Sequence, residues 1–148
     1  MKIYFKSDKK NIIELGSLKI IGEPGFDGTV YEYQGKAVKI LHHPNENSSG
    51  MTEKKAKYFK KNMDFHQCLK IEDLIYDMNN QYVGYVTEYK KQDYNETLKI
   101  TISKFLNICK NLLTDANLLS EKRYLMVDFR LENSICNSEI YPFDFDHC

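Results

Sequence analysis

"SLKIIGEPGFDGTVYEYQGKAVKILH", residues 17–42, alternates short β-branched and aromatic runs with turn-forming residues. The runs "SLKIIG", "TVYEYQ" and "KAVKILH" suit a pleated, half-buried surface, and "EPGFDG" and "QGK" between them carry turn chemistry. The stretch therefore predicts a three-stranded antiparallel meander. Gly22, Gly25 and Gly28 recur at regular spacing in the first turn. Glycines there serve either a hairpin that needs positive φ or a close approach of backbone N–H groups to phosphate oxygens. In the last strand, period two puts Lys39 on the same face as Ala37 and Leu41. A lysine on a semi-apolar strand face needs an anionic partner, either a carboxylate or a ligand phosphate.

Downstream, past the turn-rich "HHPNENSSG", the segment "MTEKKAKYFKKNM" loses alternation. Ala56, Phe59 and Met63 fall at helical spacing, with Ser or Thr available as a cap. Glu53 lies three residues before Ala56, so it points inward with that stripe and is a candidate partner for Lys39. As an acid at a helix start it also favours the helix dipole. "DLIYD" and "YVGYVTEY" flank the turn "MNNQ", which makes five strands and one helix by Tyr89. From Thr101 to Leu119, the positions Ile102, Phe105, Cys109, Leu112 and Ala116 repeat as the apolar stripe of a long helix. "SIC" and "EIYPFDF" read as a closing hairpin around "NSE".

The chain has 148 residues, enough for one domain with a real core, and its 42% hydrophobic and 28% charged residues describe a globular protein. Lysine and arginine number 21, as do aspartate and glutamate, so the global balance gives no argument for nucleic acid or an anionic bilayer. "MKIYFKSDKK" at the start lacks the apolar segment of a secretory leader, and no apolar run approaches a membrane span of about 20 residues. A cytosolic setting is expected. Cys68, Cys109, Cys136 and Cys148 lie far apart without a C-x-x-C pair, as suits reduced, mostly buried thiols. Zinc held by Cys136, His147 and Cys148 would lack a recognised spacing.

Taken in order, the motifs resemble those of the protein-kinase superfamily over nearly the whole chain. They are G-E-P-G-F-D-G-T-V-Y at 22–31, A-V-K-I at 37–40, Glu53, V-T-E-Y at 86–89, D-F-R-L-E-N at 128–133 and D-F-D at 144–146. The first glycine stands one residue further from the third than in the family's G-x-G-x-x-G. Met126-Val127 replace the His-Arg before the catalytic Asp, Arg130 stands at the place of a catalytic-loop Lys, and Asp146 replaces the Gly of D-F-G. That last departure resembles bacterial effector kinases and small-molecule phosphotransferases, in which the position is often not Gly.

The resemblance implies an α+β kinase-like fold in one domain. Residues 1–89 would be the N-lobe, a five-stranded antiparallel sheet with one helix, and 90–148 the hinge with a reduced, mostly helical C-lobe. It implies an ATP-dependent phosphotransferase, more in the manner of a protein Ser/Thr kinase than of a small-molecule kinase. In that role Lys39, held by Glu53, meets the α- and β-phosphates, and the backbone around Gly22, Gly25 and Gly28 covers them. Asn133 and Asp144 bind Mg²⁺, with Asp146 the alternative to Asp144. Asp128 orients the acceptor hydroxyl and Arg130 steadies the transferring phosphate. Glu88 and Tyr89 offer hinge contacts to adenine, Thr87 is the gatekeeper, and Val30 and Ala37 roof the ring.

The chain stops four residues after Asp144. The resemblance thus implies a fragment, a reduced kinase, or a kinase-derived module that binds ATP without turnover. The apolar face of the 102–116 helix would lack its usual covering, so an oligomer or partner protein is expected on it. The setting is the cytoplasm, or a host cytosol for a secreted effector.

Overall fold

The computed structural model describes residues 1–44, 50–93, 95, 99–124 and 134–142. It divides into two compact units, Met1–Asn62 with Lys70–Tyr89, and Met63–Leu69 with Lys90–Cys148.

The first unit is built on one antiparallel sheet. Its strands are β1 (Lys2–Phe5), β2 (Asp8–Glu14), β3 (Lys19–Ile20), β4 (Gly28–Tyr33), β5 (Lys36–Leu41), β6 (Asp73–Asp77) and β7 (Tyr82–Glu88), and their order is β2-β1-β6-β7-β5-β4-β3. The opening stretch forms β3, β4 and β5, with Lys19 opposite Glu32 and Val30 opposite Lys39, and the two residues Gln34 and Gly35 turn between β4 and β5. Helix α1 (Glu53–Asn62) lies in the connection from β5 to β6. Thr52 caps it, its Oγ1 accepting from the Lys55 N–H at 3.3 Å. Ala56 and Phe59 bury one side of the helix, as their spacing requires. On one face of the sheet Ile3, Ile13, Val38, Ile40, Ile75 and Val86 pack into a continuous core.

The expected five-stranded kinase-like sheet followed by a mostly helical lobe is not what forms. The sheet has seven strands, because residues 2–14 fold back on themselves and β1 adds to β6 with Ile3 opposite Asp77 and Tyr4 opposite Tyr76. "KIYF" and "NIIE" are short, and the charged "KSDKK" between them hides their alternation. Lysines at a sheet edge are nonetheless compatible with a strand, since they discourage further pairing.

Among the described residues the second unit contains one helix, α2 (Ile102–Glu121), and a two-stranded hairpin of β8 (Ser134–Cys136) and β9 (Ile140–Pro142). Thr101 caps α2, its Oγ1 accepting from the Lys104 N–H at 3.2 Å. The buried side of α2 differs from the stripe that hydrophobic spacing predicts. Ile108, Asp115 and Leu119 are buried, whereas Ile102 is 81% exposed and Phe105 50%. The side chain that turns the helix is charged. Asp115 is fully buried and accepts the backbone N–H groups of His66 at 2.7 Å and of Gln67 and Cys68 at 2.8 Å each. Three converging N–H donors compensate a buried carboxylate, which explains its place in an otherwise apolar stripe.

Candidate functional site

The first unit brings together the residues that the sequence singles out between Gly22 and Tyr89. Directly opposed residues of antiparallel strands share a face. Val30 opposes Lys39, Lys39 opposes Tyr85, and Tyr85 opposes Leu74. Ala37 likewise opposes Thr87. Val30, Ala37, Lys39 and Thr87 therefore occupy the face opposite Val38, Ile40 and Val86. Lys39 is half-buried there, its Nζ 6.0 Å from the Tyr85 ring centre. Thr87 is buried beside the small Ala37.

Helix α1 serves the same face. Tyr76 stands two residues beyond Leu74 on β6, and its hydroxyl donates to Glu53 Oε1 at 2.6 Å. The same Glu53 oxygen lies 2.6 Å from Lys57 Nζ, one helical turn on. Lys57 first, then Tyr76, hold the Glu53 carboxyl below its ordinary range. Burial and the adjacent Glu53 push the Tyr76 phenol up. Lys39 and Glu53 are thus on one face of the sheet, with the Glu53 carboxylate engaged by Tyr76 and Lys57.

The glycine loop is a hairpin tip. The Gly25 N–H donates to the Gly28 carbonyl at 2.9 Å, leaving Phe26 and Asp27 at the apex, and Phe26 is 86% exposed. Gly22 has φ +69°, which explains a glycine there. At Gly28 a Cβ would stand 2.4 Å from the Ile40 carbonyl oxygen, so this glycine allows β4 to lie against β5. Gly25 has no such contact closer than 3.6 Å. His42 is the residue that sequence reasoning missed. Its backbone N–H donates to the Asp27 carbonyl at 2.9 Å, and its ring nitrogens lie 3.1 Å from the Phe26 carbonyl and 3.3 Å from Thr29 Oγ1. The available signal was its position directly after "KAVKIL", which strand pairing places opposite Asp27.

At the end of β7, Glu88 opposes Lys36 and is exposed. The Tyr89 N–H donates to the Gly35 carbonyl at 3.1 Å, so that donor already has an acceptor. Asp128, Arg130, Asn133, Asp144 and Asp146 lie outside the described residues.

Among the described residues, no group of three His, Cys, Asp or Glu side chains is arranged to hold a metal ion. Cys68 and Cys136 are buried free thiols and Cys109 an exposed one; burial pushes the Cys136 thiol up. No described helix is long and apolar enough to cross a membrane. No protein-family model matches the chain, and no curated protein does.

Proposed function

We propose that the chain is an ATP-dependent phosphotransferase that passes the γ-phosphoryl group to a hydroxyl, in the manner of a protein Ser/Thr kinase in a cytosolic setting. The observation that carries this reading is the half-buried Lys39, placed between Val30 and Tyr85 on the face served by the Glu53 helix. A cation on a semi-apolar face suits an anionic ligand, and the small Ala37 beside Thr87 suits a flat ring. ATP supplies the transferable group, and Mg²⁺ neutralises its charge. Lys39 meets the α- and β-phosphates, and the Gly22–Gly28 hairpin covers them. Thr87, Glu88 and Tyr89 border the adenine, with Val30 and Ala37 above it. Asp128 orients the acceptor hydroxyl, Arg130 steadies the moving phosphoryl group, and Asn133 and Asp144 hold the metal. Exposed Ile102, Phe105, Leu106 and Leu113 on α2 support a protein partner or a second copy of the chain.

A second reading, a module that binds ATP without turning it over, is favoured by the state of Glu53. Its carboxylate is held by Lys57 and Tyr76, whereas the transfer reading assigns it the role of holding Lys39. Thermal unfolding with and without Mg-ATP, run beside transfer from radiolabelled ATP, separates the two. Phosphotransfer predicts a stabilisation lost in Lys39→Met and turnover lost in Asp128→Ala. The binding module predicts the same stabilisation with no turnover in the native chain. No shift with Mg-ATP would overturn both. Asp144→Asn is expected to lose the metal-dependent part of the shift and Asp146→Asn to keep it; the reverse pattern would exchange their roles.

A further inference from the structure

The chain carries no net charge, yet its first unit segregates cations. Lys54, Lys57 and Lys61 recur along the exposed side of α1, and Lys6, Lys9 and Lys10 surround the exposed turn from β1 to β2. One buried carboxylate joins these two places. Asp73 Oδ2 accepts the Ser7 N–H at 2.9 Å and the Ser7 hydroxyl at 2.5 Å, while Oδ1 receives Lys60 Nζ at 2.7 Å. The turn therefore sits beside the last turns of α1, and the six lysines form one field.

Acids offset that field only in part: exposed Asp8 lies between Ser7 and Lys9 in the turn, and Glu53 attracts Lys6. Glu53 is the one acid in α1 and is held by Lys57 and Tyr76, and Asp73 is held by Ser7 and Lys60. Among the described residues, Lys6, Lys9, Lys10, Lys54 and Lys61 form no ion pair. The arrangement is unfavourable to the free helix, because lysines three and four apart repel and Lys54 in the first turn opposes the dipole. A solvated helix face ordinarily mixes signs, as stabilising pairs one turn apart require. Six lysines against Asp8 and Glu53 leave the field predominantly positive, which a partner of the opposite sign satisfies.

We propose that this lysine face is a docking surface for a carboxylate-rich segment of a partner protein. The chemistry favours carboxylates over nucleic acid. All six cations are lysines, strongly hydrated point charges without the guanidinium fork that grips phosphate. The aromatic residues of α1 are not exposed as stacking platforms either, since Phe59 is buried and Tyr58 half-buried. The surface uses neither Lys39 nor the glycine hairpin, so it stands whether or not the chain binds ATP.

The test is fluorescence anisotropy of the full chain with a labelled oligo-glutamate peptide and, in a second arm, an oligo-dT of equal length, at low and physiological salt. Oligo-glutamate is expected to bind, more weakly as salt rises, and Lys54→Glu with Lys61→Glu to weaken it by roughly tenfold. The milder Lys54→Gln with Lys61→Gln should act in the same direction, which guards against a misfolded charge reversal. Lys110→Glu with Lys122→Glu changes the net charge equally in the second unit and should bind as the native chain does. Absent binding of oligo-glutamate, an equal loss in that control, or tighter binding of oligo-dT would each overturn the proposal.

Discussion

Cys68 and Asp115 are 47 residues apart in the sequence, yet the Cys68 N–H donates to the Asp115 carboxylate at 2.8 Å. The carboxylate also takes the N–H groups of His66 and Gln67, and it has no exposed surface. Asp115→Ala would leave three donors in the interior without an acceptor. Its expected cost is about 3–5 kcal/mol, and that of Asp115→Asn, which keeps one acceptor oxygen, about 1.5–3 kcal/mol. Urea denaturation followed by circular dichroism measures both; an Asp115→Ala chain as stable as the native one would remove Asp115 from this role.

The two sides of α2 should respond differently to truncation. Ile108 is 2% exposed and Ile102 is 81% exposed. Ile108→Ala is expected to cost about 2–4 kcal/mol, and Ile102→Ala to stay within about 0.5 kcal/mol. Denaturation midpoints of the two variants are the comparison to make. Equal losses would mean that the apolar spacing of Ile102, Phe105 and Cys109, rather than Asp115, sets the rotation of the helix.

The three glycines of the hairpin should separate by substitution to alanine. Gly28→Ala forces a methyl against the Ile40 carbonyl of the neighbouring strand and is expected to cost about 2 kcal/mol or more. Gly22→Ala, at positive φ in open space, should cost about 1 kcal/mol. Gly25→Ala meets only an ordinary contact and should leave thermal stability unchanged. A Gly25 variant that keeps its stability but loses the Mg-ATP shift would separate a ligand-facing glycine from two structural ones.

Asp73 gives the first unit an acid-sensitive joint. Burial pushes its carboxyl up, but Lys60 and the two hydrogen bonds from Ser7 outweigh that and leave it below the ordinary value. A carboxyl lowered by folding contributes fully above its unfolded pKa, about 3.9, and the contribution disappears as pH falls through the folded value. The native chain should therefore lose stability relative to Asp73→Asn on acidification below about pH 4. Unfolding free energies of both chains across that range would show it, and a constant difference would place the value of Asp73 in packing.

Much of the first unit is legible in its residues, because alternation and turn chemistry act locally. The meander from Ser17 to His42, the helix from Glu53 and the pair of strands on either side of "MNNQ" all follow from such signals. The β1–β2 hairpin does not, since its lysines interrupt the pattern and its place beside β6 depends on residues more than sixty positions away. In α2, spacing finds the helix but misplaces its buried side, because a hydrophobic stripe cannot register a carboxylate whose partners lie at 66–68. At the candidate site, period two places Lys39 beside Ala37 and Leu41, whereas the engagement of Glu53 by Tyr76 and the pinning of the hairpin tip by His42 arise only from strand pairing. The expected roles of Asp128, Arg130, Asn133 and Asp144 fall on residues outside the described ones.

Residues 63–69 belong to the unit of α2 although they connect two elements of the sheet unit. Neither unit is therefore a continuous piece of chain, and no single cut in the backbone yields both of them whole. A polypeptide severed after Tyr89 would carry residues 66–68 on one piece and Asp115 on the other. The two pieces would each hold half of a buried hydrogen-bonded cluster, the arrangement that makes split halves of a protein depend on finding each other.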